Sequence, residues 1–176
     1  LLAMCVVADG TLKFEETRSL AEQGDASAQK SLGDMYAFGD GVPEDDTEAM
    51  HWYRKAAEQG NSEAQWSLGS EKRSGADANY AEALRWFDKA AEQGHVAAQL
   101  RLGLMYADGE GTTKDDAKAV TWFRRAAEQG CTEARLNLGQ RYARGEGVAE
   151  DDAEAVQWFR KAAEGDGQDR CSPITV

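Results

Sequence analysis

Trp122–Gly130 reads WFRRAAEQG, and close copies of it recur along the chain. The tetrapeptide AEQG stands at Ala21–Gly24, Ala57–Gly60, Ala91–Gly94 and Ala127–Gly130, its glycines 36, 34 and 36 residues apart. A tryptophan precedes each of the last three glycines by eight residues (Trp52, Trp86, Trp122), and Trp158 belongs to a further copy. Identity of this kind at a near-fixed period marks an array of repeats, each one supersecondary unit.

Outward from AEQG, each period resolves into two helical stretches. Asp25 is placed to cap a first helix, A, expected over 26–37, where Ala28, Leu32, Gly33 and Tyr36 gather on one side at 100° per residue. The same stripe returns as Ala64, Leu68 and Gly69, as Ala98, Leu102, Gly103 and Tyr106, and as Ala134, Leu138, Gly139 and Tyr142. Its glycine is where a neighbour's side chain fits. A glycine turn follows (Gly39–Pro43, Gly109–Gly111, Gly145–Gly147). The second helix, B, opens at Asp45 with Glu48 three residues on, a capping box repeated by Asn79 with Glu82 and Asp151 with Glu154, but not by Asp115 with Lys118. Helix B is expected to bury Ala49, Tyr53 and Ala56, with Phe87, Phe123 and Phe159 in the register of Tyr53. Its basic pairs, Arg54-Lys55, Arg124-Arg125 and Arg160-Lys161, suit the C-terminal end of the helix dipole. Gly60, Gly94 and Gly130 stop it. The tryptophans fall at its flank, as structural wedges between units. A hairpin of this kind cannot bury its own apolar sides, so neighbours must complete the core.

The pattern A-x-x-x-L-G-x-x-Y-x-x-G-x-G-V…D-D-x-x-A-x-x-W-(F/Y)-x-K/R-A-A-E-Q-G resembles the Sel-1-like repeat family, a branch of the tetratricopeptide-like helical solenoids. Four consecutive copies carry it, over 21–56, 57–90, 91–126 and 127–162 within residues 21–163. The resemblance implies an all-α fold, an αα-hairpin repeat solenoid wound as a right-handed superhelix. The second copy departs from the pattern: Lys72 replaces the tyrosine, Glu71–Arg73 charges the helix end, and the turn is two residues shorter. Residues 9–20 read as a degenerate N-terminal helix of B type, and 164–176 as a loose tail. Residues 1–8, an apolar run ended by Asp9, resemble the tail of a secretory signal, which favours a periplasmic or secreted protein over a cytoplasmic one. A short core helix is the competing reading of that run.

A net charge of −12, from 20 basic against 32 acidic side chains, repels phosphate backbones and anionic lipid. Nucleic acid is therefore not an expected partner, and no stretch is long enough to span a membrane. Candidate chemistry is sparse, and no catalytic, cofactor or metal residue is assigned. His51 and His95 occupy unrelated repeat positions, and the acidic turn Asp40–Asp46 lacks the ordered ligand ladder of a calcium loop. Ser27-Ala-Gln-Lys30 spells S-x-x-K, but the companion S-D-N and K-T-G elements are absent. Cys5, Cys131 and Cys171 have no metal-ligand spacing. Cys131 opens a helix A and Cys171 lies beyond the following helix B, so a bridge is within reach. Cysteine-rich relatives tie their paired helices with disulfides but carry cysteines in nearly every unit, so free thiols are expected here.

The side of helix A opposite the core stripe holds positions 27, 30, 34 and 38, which in tetratricopeptide-like solenoids line the concave surface. The register of Lys30 reads Trp66, Leu100 and Leu136 in the later repeats, either side chains that pack between neighbouring A helices or a ladder of exposed apolar side chains with Trp66 as anchor. Asp34, Glu63, Arg101, Leu104, Glu133, Asn137 and Gln140 complete the expected contact set. On the ladder reading, replacing Trp66 and Leu100 leaves stability almost unchanged. The function implied is a non-enzymatic scaffold or adaptor, monomeric by preference, that binds a protein or peptide in its concave groove. The alternatives are an enzyme acting on β-lactam or cell-wall substrates, as proposed for cysteine-rich relatives, and a structural part of a longer repeat array.

Overall fold

The computed structural model describes residues 2–74, 78–164 and 171. Every regular element among them is an α-helix: α1 (Leu2–Glu22), α2 (Ala26–Phe38), α3 (Asp46–Glu58), α4 (Ser62–Ser74), α5 (Tyr80–Glu92), α6 (Val96–Asp108), α7 (Asp116–Glu128), α8 (Thr132–Arg144) and α9 (Asp152–Ala163). The expected all-α fold of repeated helical hairpins is therefore the observed one. Helices α2, α4, α6 and α8 are of type A, and α3, α5, α7 and α9 of type B. The chain divides into two compact units, Leu1–Leu68 and Gly69–Val176, with the division inside α4. In the first, α1 packs on α2 and α2 on α3. In the second, α5, α6, α7, α8 and α9 pack in sequence, each on the next.

Side chains set the helix starts. Asp25, Asn61, His95 and Cys131 occupy one register, and each accepts a hydrogen bond from the backbone N–H three residues on, at 2.7, 2.9, 3.2 and 3.3 Å. Asp45, Asn79, Asp115 and Asp151 do the same for the B helices, each at 3.0 Å. A cap of this kind is typically worth about 0.5–2 kcal/mol. Asp115 caps although Lys118 breaks the expected box, and the bond from the Lys118 N–H holds its carboxyl below the usual range.

The AEQG repeat has a mechanical explanation. Its glycine turns into the left-handed region (φ 99° at Gly24, 95° at Gly130), ending helix B in a conformation that favours glycine. Its alanine leaves a carbonyl with no helical partner. Gln29, Gln65 and Gln99, buried one turn into the following helix A, donate to Ala21, Ala57 and Ala91 O, each at 3.1 Å. The motif's own glutamine then closes the joint: Gln59 donates to Gln29 Oε1 and Gln129 to Gln99 Oε1, both at 2.7 Å. In the last repeat Arg135 takes over, donating to Ala127 O at 3.2 Å and to Lys161 O at 2.9 Å.

Within each hairpin the helix-A glycine lies under the helix-B ring. A Cβ added at Gly33, Gly69, Gly103 or Gly139 would meet the ring of Tyr53, Phe87, Phe123 or Phe159 at 2.5–2.7 Å. Phe87 and Phe123 are wholly buried. Phe159 corrects the expectation of burial: one side of its ring covers Gly139, but it is 37% exposed, because no further helix packs over α9 among the described residues.

Helix α1 runs unbroken through the apolar opening run and the segment read as a degenerate helix B. The shortened turn of the second repeat, residues 75–77, lies outside the described residues, as does the tail apart from Glu164 and Cys171. The bond that closes the other turns is nevertheless kept: Asn79 N–H donates to Lys72 O at 2.8 Å, as Asp115 N–H does to Tyr106 O.

Gly103→Ala is expected to lower stability by about 1–3 kcal/mol, since the new methyl overpacks against Phe123. Urea unfolding followed by circular dichroism checks it. An unchanged midpoint would show that the helices separate without cost.

Candidate functional site

Helix A carries the expected contact residues, and the structure sorts them into three environments. In the first unit, Lys30 Nζ pairs with Asp34 Oδ2 at 2.6 Å, one turn along α2. The other carboxylate oxygen of Asp34 accepts from the Tyr53 hydroxyl at 2.8 Å. Burial, then the bond to Asp34, raises the Tyr53 pKa well above its ordinary value. Asp34 thus fastens α2 to α3 as well as facing outward. Glu63 is exposed in the first turn of α4, and Trp66, one turn later, is half-buried.

In the second unit, Arg101 is half-buried on α6. Burial and the nearby Arg73 lower its pKa, while Glu110 and Glu133 oppose that shift. Arg73 itself pairs with Glu110 at 3.6 Å. Leu104 is half-buried against the core. On α8, Glu133 and Gln140 are exposed, and Asn137 donates back to Glu133 O at 2.9 Å. Leu136 is 42% exposed, the large apolar side chain that the second unit leaves open on a helix A.

Leu100 corrects the ladder expectation. It is 7% exposed and belongs to the cluster that contains Val120, Phe123 and Leu138. Burying a leucine is worth roughly 1.5–3 kcal/mol, so a leucine within reach of packed neighbours is drawn among them rather than left in solvent. Replacing Leu100 is accordingly expected to cost stability, contrary to the reading from sequence. Helical projection alone did not distinguish Leu100 from Leu136, because both hold the same register.

Other sequence candidates fall into structural roles. His95 caps α6, and His51 is exposed, its ring edge-on to Trp52. Asp40 pairs with Lys13 at 3.1 Å and Asp45 caps α3. Among the described residues no group of three or more His, Cys, Asp or Glu is arranged to hold a metal. Ser27 is exposed in the first turn of α2, and the ammonium of Lys30 is engaged by Asp34 one turn along the same helix. The four flanking tryptophans each lie under a cation from one turn later: Lys55, Lys89, Arg125 and Lys161 stand 4.3, 4.4, 4.6 and 4.0 Å from the ring centroids. The basic ends of the B helices therefore cover tryptophan as well as suiting the dipole, at about 0.5–1 kcal/mol per exposed pair. No helix of the described residues is long and apolar enough to cross a membrane.

The cysteines overturn the free-thiol expectation. Cys131 and Cys171 form a disulfide with their Cα atoms 5.1 Å apart, closing a separation of 40 residues. Both are buried, Cys171 in the cluster that includes Trp158. Cys131, which caps the start of α8, is thereby tied to a residue that follows α9 in the chain. Cys171→Ser is expected to destabilise the second unit by about 2–4 kcal/mol, measured as a lower melting temperature that a reductant reproduces in the parent protein and leaves unchanged in the variant.

Comparison with known proteins follows this geometry. A family model described as Sel1 repeat matches residues 26–61, 62–95, 96–131 and 132–167. Among solved structures the chain is similar to c5321, a protective antigen of uropathogenic Escherichia coli with an SLR fold: 42% identity, TM-score 0.81, covering 86% of this chain and 33% of that one. It is similar also to a Sel1 repeat protein from Oxalobacter formigenes, with 38% identity, TM-score 0.82 and coverage of 88% and 65%. Cysteine-rich protein B of Helicobacter pylori shares 27% identity at TM-score 0.55, with coverage of 73% and 93%. The chain thus spans a third of the first of these proteins and just under two thirds of the second. No match was found among curated proteins.

Proposed function

Because the chain belongs to the Sel1 repeat family, whose members are generally protein–protein interaction scaffolds, we propose that it is a non-enzymatic adaptor that binds a partner protein or peptide on the outward faces of its A helices. The observation that carries the reading is Leu136, a large apolar side chain left 42% exposed among Glu133, Asn137 and Gln140 on α8. An exposed apolar centre with a polar rim is the usual anatomy of a contact surface. Arg101 and Leu104 on α6 extend it in the second unit, and Lys30, Asp34, Glu63 and Trp66 are the corresponding contacts in the first. Leu100, being core, is not among them.

The Cys131–Cys171 disulfide supports a setting outside the reducing cytosol, in the periplasm or beyond the cell, where such bridges persist. The acidic balance of the chain disfavours a nucleic-acid partner.

Leu136→Glu and Trp66→Ala, made singly in tagged protein, test the reading by quantitative partner recovery from envelope and exterior fractions. Recovery of the dominant partner is expected to fall tenfold or more with either variant, while the helical signal and melting temperature of Leu136→Glu stay at parent values. Recovery unaltered by both variants would remove the A-helix faces from the interaction.

A further inference from the structure

Position 101 departs from the repeat. Its register holds Ser31, Ser67 and Asn137 elsewhere, and Arg101 alone brings a cation there. The side chain is half-buried on α6, beside Leu100 and Leu102 of the core. The arginines of α7 and α8 are each fastened: Arg124 to the Tyr142 hydroxyl, Arg125 over Trp122, Arg135 to two carbonyls, Arg141 and Arg144 to Glu146. The Arg101 guanidinium differs from all of them. Among the described residues no hydrogen bond or ion pair engages it.

Its charged neighbours do not supply an acceptor. Glu110 pairs with Arg73 at 3.6 Å, and Glu133, exposed in the first turn of α8, stays outside ion-pair distance. Arg73 itself stands close enough to repel. Burial first, and then the charge of Arg73, loosen the Arg101 proton relative to an ordinary arginine. Two like charges side by side, one half withdrawn from water and bonded to nothing, are stabilised by an anion that both can reach. The same faces of α6 and α8 present Leu104, half-buried, and Leu136, 42% exposed. These surroundings are set by α4, α6 and α8, not by either end of the chain. The chain as a whole carries a net charge of −12 and repels polyanions at a distance. What suits the pair is therefore a single carboxylate brought in beside an apolar contact.

We propose that Arg101 and Arg73 receive an aspartate or glutamate side chain of the partner peptide, and that a large apolar side chain within a few residues of it rests on Leu136. The planar fork of Arg101 binds both carboxylate oxygens, which a lysine ammonium does not. The inference rests on the reading of the A-helix faces as the contact surface and names the chemistry which that surface selects.

The probe is a displayed library of random 12-residue peptides selected on the full chain, the leading sequence then being made with a fluorescein label for anisotropy. Expected are Asp or Glu close to Leu, Ile or Phe among the selected sequences. Replacing the carboxylate by its amide weakens binding at least tenfold, a comparison that leaves the protein unaltered. Arg101→Gln also weakens it tenfold or more, Arg73→Gln about threefold, and Arg101→Lys restores part of the loss. Arg85→Gln, at an exposed arginine of α5, leaves binding at the parent value. Circular dichroism confirms that the Arg101 variants are folded. Selection of peptides without carboxylates, no selection at all, equal binding of the amide form or undiminished binding to folded Arg101→Gln overturns the proposal. Displacement of the peptide by millimolar inorganic phosphate also overturns it, assigning the pair to a free anion. Binding lost with Leu136→Glu but kept with Arg101→Gln removes this inference and leaves the A-helix reading standing. Binding indifferent to both removes the two together.

Discussion

An aromatic ring lying on bare backbone sets the dimensions of this protein. At Gly33, Gly69, Gly103 and Gly139 there is no room for even a methyl group, because the ring from helix B already occupies it. Side chains at the contact decide how closely two helices approach, and glycine brings them to the near end of the usual 8–10 Å. Once that distance is fixed, the small residues around it follow: Ala83, Ala90, Ala119 and Ala126 are wholly buried because nothing longer fits beside the ring. Tyr53 is the one ring with a polar end, and Asp34 is placed to receive it, so the first hairpin gains a hydrogen bond across the same contact.

The joint between consecutive hairpins uses backbone rather than bulk. A buried glutamine of each of the first three A helices donates to the alanine carbonyl at the end of the preceding helix B, which also accepts the glycine N–H of the turn, and in two of those repeats the AEQG glutamine braces it. Leaving such a carbonyl or amide unmade in the interior would cost about 1–3 kcal/mol, which explains the identity of the four-letter motif better than helix propensity does. Arg135 shows that the requirement is for donors, not for glutamine: one guanidinium reaches both Ala127 O and Lys161 O. At the opposite end of the hairpins, Gly111 and Gly147 lie against the backbone of Tyr80 and Asp116, and Arg141 ties Asp116 to Glu146 at 2.7 and 2.8 Å.

Periodic features were legible from the chain alone, because a repeated contact leaves a repeated letter. Helix pairing, the glycine–aromatic register and the N-caps at Asp25, Asp45, Asn79 and Asp151 all belong to this kind. Features that depend on a single neighbour were not. Leu100 and Leu136 share a register, yet one is core and the other open. Phe159 has the letter of a buried ring, yet no helix among the described residues packs over it. The disulfide was misread because relatives with many cysteines supplied the comparison, whereas the proximity of Cys131 and Cys171 is a property of one hairpin. The glutamines at 29, 65 and 99 were visible as a period but sat beside the apolar stripe, where a polar residue is ordinarily taken for surface. Their burial follows only once the alanine carbonyls eight residues back, at the end of the preceding helix, are counted as acceptors.

In a repeat protein the shared letters build the scaffold, so individuality has to reside where the letters change. Lys72 replaces a tyrosine yet keeps the turn's closing bond, and Cys131 caps a helix as Asp25 does and is also covalently tied to Cys171. Each substitution preserves the backbone hydrogen bond of its position and alters only what the side chain offers beyond it. That separation is a physical consequence of the architecture. The joints are made by main-chain carbonyls, glycines and caps, so outward positions are free to vary at a cost near that of ordinary surface change, within about 0.5 kcal/mol. Proteins that share 38–42% identity and the Sel1 repeat fold can therefore differ in what their outward side chains present while keeping the same joints.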